Sequence, residues 1–384
     1  MFAARTRESG VERRLGVIVN PIAGMGGRVG LKGTDGAEVL ARARALGAEP
    51  LAGARCLRAL RRLASEGPCR VVAAPGAMGE DAAAEAGLRP EVLDGGFGDN
   101  SGPEDTARAA RRMQEAGVDL ILFAGGDGTA RDVLGAVGAG QPILGVPTGV
   151  KMHSAVFGTS PEAAGHVAGH FIRDGEGAIR LREAEVMDLD EAALREGRVA
   201  AQLYGTALVP HERGGVQARK GPAMPADEVA LDALARQLAR GWAQDRLLIF
   251  GCGTTTRRLK RALGFDGTLL GVDAVLGGRL IAADASEAQL LRLLSRAVGA
   301  TVVVSATGGQ GFLFGRGNQQ ISAAVLERVG RENIMVVTGA QKLIALDPPV
   351  LRVDSGDADV DAMLAGYIGV HTAPGQRMMM KVVA

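Results

Sequence analysis

Aromatic side chains are scarce, with Phe, Tyr and Trp together making up 3% of the 384 residues. A surface that stacks nucleobases needs such rings, so their scarcity speaks against nucleic acid as a partner. Net charge is almost absent too, with 44 basic and 43 acidic residues leaving +1. No global field therefore draws the chain to nucleic acid or to an anionic membrane. Cysteine is confined to Cys56, Cys69 and Cys252, an odd count without metal-site spacing, which fits a reducing compartment. No apolar run approaches the ~20 residues of a spanning helix. The opening "MFAARTRESGVERRLG" is polar and charged, unlike a signal peptide. The expectation is a cytoplasmic protein without stable membrane association.

What is abundant is glycine, at 57 residues and without a collagen-like period. Much of it gathers just after apolar runs, where a loop needs unusual backbone angles or a ligand must come close. The hydrophobic share of 47% supports a sizeable core, and the length suits two domains at ~150 residues each.

Strands and helices alternate along the first part. "LGVIVNP" (15–21) reads as a strand, followed by a glycine-rich loop, helices near 36–46 and 53–66, a strand at 70–76 and a helix near 79–87. Ser101 and Glu104 suit a capping box, Pro103 the first turn, and Gly117 the exit of the next helix. "DLILFAGG" and "QPILGVPTG" (141–149) then read as buried strands. Short connections imply a parallel sheet covered on both faces. Beyond about residue 153 the texture changes: residues 183–210 read as a hairpin turning at Glu196-Gly197, and a helix near 226–242 has Asp227 as its cap. Strand–helix alternation then resumes to the end. The expected division is 1–153 and 154–384, with the last strand, "RMMMKVV", free to join either domain.

The chemistry concentrates in "LILFAGGDGTARDV", where a strand meets a helix through Gly125, Gly126, Asp127, Gly128 and Thr129. Bare main-chain N–H groups at a helix start form an anion site, and Thr129 adds a hydroxyl. Asp127 makes sense there as a base for an attacking hydroxyl or as a magnesium ligand; the plainer alternative is a helix N-cap. Two further glycine-rich turns follow strands: Asn20-Pro21 with "AGMGG", and "GVPTGVKMHS" with Thr148, Gly149 and Lys151. In open parallel sheets ligands bind beyond the carboxyl ends of the strands, so the three turns are expected to line one site.

"NPIAG", "AGGDGTARDV" and "GVPTGVKMHS" resemble the NAD kinase superfamily, which includes diacylglycerol and sphingosine kinases. "LKGTDG", "EVMDLDE", "GCGTTT", "LLGVDAV" and "GGQGFLFGRGNQQIS" are similar to its ATP-NAD kinase branch, which contains the acetoin-catabolism protein X. The resemblance implies a Rossmann-like N-terminal α/β domain and a β-rich, mixed α+β C-terminal domain. It also implies ATP with Mg2+ as donor, NAD as a possible acceptor, and a small-molecule substrate such as a nucleotide or polyol. Gly125 to Thr129 would be the phosphate loop, Asp127 the group that activates the acceptor hydroxyl, and Asn20 a neighbour of the nucleotide. The Asn-Glu dipeptide with which NAD kinases hold their dinucleotide occurs nowhere in the chain. Phosphoryl transfer is thus better supported than NAD as acceptor; a nucleotide-binding regulator and a lipid kinase are the rival readings. Self-association into a homo-oligomer is also expected.

Further candidates are more ambiguous. Gly253, Thr254 and Thr255 open a helix and can hold phosphate, or Thr254 merely caps. Lys32 and Asp35 can clamp a phosphate and a ribose hydroxyl, or sit in a solvated loop. Arg316 and Asn318 lie between glycines; Arg316 can neutralise charge on a transferred group or pair with a structural carboxylate. His166 and His170 are spaced i, i+4 without an evident third ligand, and with His153 read as surface histidines. "RRLKR" (257–261) reads as a solvated helix face.

Overall fold

The structure is a computed structural model that describes residues 13–27, 29, 37–94, 97, 102–148, 152, 154–174, 179–189, 201–212, 225–242, 245–306, 311–346 and 348–384. Its contacts divide the chain into two units, Met1–Gly24 with Glu49–Ala218 and Met25–Ala48 with Arg219–Ala384.

In the first unit, β1 (Arg14–Val19) is followed in the chain by α1 (Ala37–Ala45), which clusters with the second unit. Then come α2 (Ala52–Ser65), β2 (Arg70–Ala73), α3 (Glu80–Glu85), β3 (Glu91–Val92), α4 (Pro103–Glu115), β4 (Leu120–Gly125), α5 (Asp127–Val137), β5 (Ile143–Pro147) and α6 (Pro161–Asp174). The strands pair parallel in the order β3-β2-β1-β4-β5. Every residue of β4 and β5 is buried, as expected of a sheet with helices on both faces. Leu15, Ile18, Leu60, Leu63, Met113 and Phe123 fill the core, each large apolar side chain contributing about 1.5–3 kcal/mol on full burial. Glycine sets the close contacts. A Cβ on Gly145 would lie 2.2 Å from the ring of Phe157, which packs edge-on to Phe123 at 5.4 Å.

The N-cap of α4 is Gly102, whose N–H donates to Asp105 Oδ2 at 3.0 Å. Pro103 occupies the first helical position, so the third is Asp105, and Glu104 falls one residue short of the expected box. Ser101 lies outside the described residues. The expected hairpin is present as β6 (Arg180–Leu189) against β7 (Ala201–His211), with Glu196-Gly197 outside the described residues. It packs on α5, α6 and β5. Through these contacts α6 and the hairpin cluster with the first unit.

The second unit continues with α7 (Pro225–Gly241), β8 (Leu247–Phe250), α8 (Thr254–Ala262), β9 (Asp273–Leu276), β10 (Arg279–Ala282), α9 (Glu287–Leu294), β11 (Ala300–Val304), α10 (Ala323–Val329), β12 (Ile334–Val337), α11 (Ala340–Ile344), β13 (Val350–Arg352), α12 (Ala358–Leu364), β14 (Gly366–Ala373) and β15 (Gln376–Val383). One mixed sheet runs β10-β9-β8-β11-β12-β14-β15-β13, with β8, β11, β12 and β14 parallel. The last strand, left open by the sequence, thus lies in this sheet.

Two local expectations change here. Asp227 sits inside α7 rather than capping it, and its Oδ1 accepts from Gln341 N at 3.3 Å, at the start of α11. The basic run of α8 is not wholly solvated. Arg257 and Arg261 pair with Asp266 and Arg258 with Asp232, but Lys260 is fully buried 2.7 Å from buried Asp273. Burial pushes the Lys260 ammonium below the usual lysine range, and Asp273 opposes that shift.

Candidate active site

β1, β4 and β5 are neighbours in the sheet, with Val19 opposite Ala124 and Gly125 opposite Pro147. Their carboxyl ends therefore emerge side by side, and so do the first residues of the three glycine-rich turns. Hydrogen bonds tie these ends together. Asn20 N donates to Ala124 O at 3.0 Å, and Thr148 N donates to Gly125 O at 3.2 Å. Asn20 Nδ2 reaches Thr129 Oγ1 at 3.1 Å, while its Oδ1 accepts from Ile22 N at 3.3 Å. Gly24, at φ 85°, brings the first turn beside the third: a Cβ there would stand 2.6 Å from Thr148 O. A side chain would be excluded both by that contact and by the left-handed backbone.

The three glycines of the central turn differ in purpose. A Cβ on Gly125 would lie 2.3 Å from Thr129 Oγ1, so this glycine admits Thr129 into the fold, where it is buried. At Gly126 and Gly128 a Cβ would meet nothing within 4 Å among the described residues. Open space thus borders the start of α5. The first helical bond runs from Ala130 N to Gly126 O, leaving the earlier N–H groups without helical acceptors, as at any helix start. The α5 dipole adds positive potential at the same end.

Asp127 is the first helical residue, not the cap; Gly126 holds that position with no side-chain cap bond. The carboxylate is buried, and its Oδ1 accepts from Ser154 N at 3.0 Å. Ser154 is itself fixed, since its Oγ donates to Met187 O at 3.2 Å and accepts from Met187 N at 2.9 Å. The hairpin therefore orients Asp127 through one backbone N–H. Thr148 is fully buried and its Oγ1 has no hydrogen-bond partner among the described residues.

Among the residues singled out from sequence, Asn20, Gly125, Gly126, Asp127, Gly128, Thr129 and Thr148 come together in the first unit. Lys32, Asp35, Gly149 and Lys151 lie outside the described residues, as does His153. Gly253, Thr254, Thr255, Arg316 and Asn318 belong to the second unit. There Gly253 is the N-cap of α8 at φ 118°, Thr254 is exposed and Thr255 is buried. Asn318 donates from Nδ2 to Leu313 O at 2.8 Å, and a Cβ on Gly251 would stand 3.7 Å from that nitrogen. The loop after β11 thus meets the turn after β8. Arg316 is buried with its guanidinium 4.6 Å from the centre of the Phe312 ring.

Two participants carried no sequence signal of their own. Ser154 acts through its main chain, which any residue possesses. Arg55, buried on α2, donates from Nη1 to Pro147 O at 3.0 Å and steadies the end of β5; in the sequence it is one arginine of an ordinary amphipathic helix.

Residues 15–176 match the family model of the ATP-NAD kinase N-terminal domain, and residues 244–382 match that of the ATP-NAD kinase C-terminal domain. No curated protein matches the chain.

Proposed function

Since the chain belongs to the ATP-NAD kinase family and is a kinase-type phosphotransferase, we propose that it moves the terminal phosphoryl group of ATP to a ribose or polyol hydroxyl at the Gly125–Thr129 turn. The observation that carries this reading is the open space over Gly126 and Gly128 at the start of α5, beside the adjoining ends of β1 and β5. Main-chain N–H groups and a helix dipole converge there on room for an anion.

In this reading the chain positions the reactants and Asp127 moves one proton. The acceptor oxygen attacks the terminal phosphorus, the bond from phosphorus to the bridging oxygen of ADP breaks, and the acceptor's proton passes to an oxygen of Asp127. Ser154 N holds Oδ1 in place and so sets the direction of the carboxylate. Asn20 braces the turn through Thr129. Mg2+ carried on the hard oxygens of the nucleotide phosphates would neutralise their charge. NAD stands as one acceptor to test among several, because the chain has no Asn-Glu pair.

Asp127→Asn tests the assignment. Asparagine keeps an Oδ1 for Ser154 N, so the turn and nucleotide binding should survive, while turnover falls by roughly 10²–10⁴-fold, the usual contribution of a general base. The assay is phosphate transfer from ATP to NAD, ribosides and polyols, beside calorimetric titration of ATP. Turnover near wild type in the variant would remove Asp127 from the chemistry. ATP binding without product from any acceptor would favour a regulator.

A further inference from the structure

We infer that Glu66, His166 and His170 form a binding site for a divalent transition-metal ion, with Zn2+ the best match, on the helical layer of the first unit. One donor atom from each of the three residues lies within 4.8 Å of the others. The placement follows from packing. Gly165 and Gly169 let α6 approach α2 closely: a Cβ would lie 2.0 Å from Ala59 O at the first and 3.2 Å from Glu66 Cγ at the second. Each glycine is followed by a histidine, so the same close approach carries both imidazoles to Glu66, the residue that ends α2. Histidines at i and i+4 share a helix face, the spacing that pairs imidazoles on one zinc ion.

The distances separate ligand geometry from ordinary hydrogen bonding. His166 Nδ1 lies 2.8 Å from Glu66 Oε1, a normal hydrogen bond. His170 Nε2 stands 3.5 Å from Glu66 Oε2, and His166 Nε2 stands 3.5 Å from Glu212 Oε2. Those two separations are long for N–H···O bonds. The first is close to the ~3.3 Å between neighbouring ligands of a tetrahedral ion with ~2.0–2.1 Å bonds. Glu212 lies on the other nitrogen of the His166 ring, so the three residues leave the fourth position of a tetrahedral ion to water. Two imidazoles with carboxylate oxygens suit Zn2+ or Co2+; Mg2+ and Ca2+ take oxygen alone. Arg62 and Arg173 oppose a cation here: Arg62 Nη2 is 2.6 Å from Glu66 Oε1 and 3.2 Å from His166 Nδ1, and Arg173 Nη1 is 3.8 Å from Glu66 Oε2. Their side chains are 44% and 43% exposed, so both can turn into solvent when the ion enters.

Cobalt(II) is the probe, added to the full chain in excess Mg2+ so that hard-oxygen sites are occupied. Cys69→Ser and Cys252→Ser remove the partly exposed thiols; Cys56 does not compete, because burial pushes its thiol up to about 12. One Co2+ per chain is expected, with the intense visible bands of a four-coordinate site, displaced by Zn2+, which also raises the melting temperature. His166→Ala and His170→Ala should each weaken binding roughly 10-fold or more, and Glu66→Gln, which keeps acceptors for Arg62 and His166, should do the same. Circular dichroism of the metal-free variants checks their fold. Absence of the bands at millimolar Co2+, or an affinity unchanged by the histidine and Glu66 substitutions, would overturn the site.

Discussion

Single methyl groups in the central turn can separate what serves the fold from what serves the ligand. Gly128→Ala adds a Cβ that meets no other atom of the described residues within 4 Å beyond its own stretch of helix, inside helix α5. Alanine is a better helix residue than glycine by ~1 kcal/mol, so the variant should melt ~2–4 °C higher. Gly126 has φ −111° and ψ −165°, an extended conformation open to alanine, but the N-cap position of α5 prefers glycine, so Gly126→Ala should cost about 0.5–1 kcal/mol. Gly125→Ala should cost more. Its methyl would stand 2.3, 2.4 and 2.6 Å from Thr129 Oγ1, Cβ and Cγ2, and overpacking of this kind costs ~1–3 kcal/mol. Displacing Thr129 also breaks its hydrogen bond from Asn20, a further ~1 kcal/mol. If phosphate lies over the open side of the turn, Gly126→Ala and Gly128→Ala intrude on it; an ångström of misplacement is enough for ~100-fold in turnover. Calorimetric melting, ATP titration and phosphate-transfer kinetics on the three variants measure each term. A stable Gly128→Ala protein with wild-type ATP affinity and turnover would refute the placement of the phosphates.

Three other outcomes follow from buried polar groups. Thr148→Val replaces a buried hydroxyl that has no hydrogen-bond partner among the described residues, so stability should hold or rise by up to ~1–3 kcal/mol; a drop in melting temperature would show that the hydroxyl is already bonded within the fold. Lys260→Met leaves the buried Asp273 carboxylate without its cation and should cost ~3–5 kcal/mol. Adding Asp273→Asn should recover part of that in denaturant unfolding, because it removes the buried charge while the amide oxygen keeps an acceptor for one of the Thr268 and Asp284 N–H groups. Glu66, whose folded pKa lies below its unfolded value, stabilises the fold above the unfolded carboxyl pKa of ~4.3, and that part is lost as pH falls through the folded value. Melting temperature measured between pH ~5 and ~3 should therefore fall less steeply in Glu66→Gln than in wild type.

The turn at 125–129 was legible in the sequence because everything that makes it is local. An unbroken apolar run names a doubly covered strand, and the glycines and helix start follow within five residues. The same locality explains the misreadings. Glu104 and Asp105 are adjacent carboxylates, and the choice between them depended on where Pro103 entered the helix. Asp227 looked like a cap for its own helix, yet its acceptor role is filled by Gln341, 114 positions away. Lys260 shares its run with three solvated arginines, and only the inward face of α8 against Asp273 distinguishes it. His166 and His170 lacked a third partner because Glu66 precedes them by 100 residues and reaches them only through the close packing of α6 on α2.

By itself the sequence determined the periodicity and the punctuation: which runs are strands, where helices begin, and which residues stand bare at strand ends. Those features depend on side-chain alternation and backbone freedom over a few neighbouring positions. Only the tertiary structure decided that β1, β4 and β5 lie side by side, that Ser154 holds Asp127, and that the hairpin packs with the first unit. Each of these joins groups tens of residues apart. Such contacts form when apolar faces close over one another, and no local pattern specifies which distant group will be waiting.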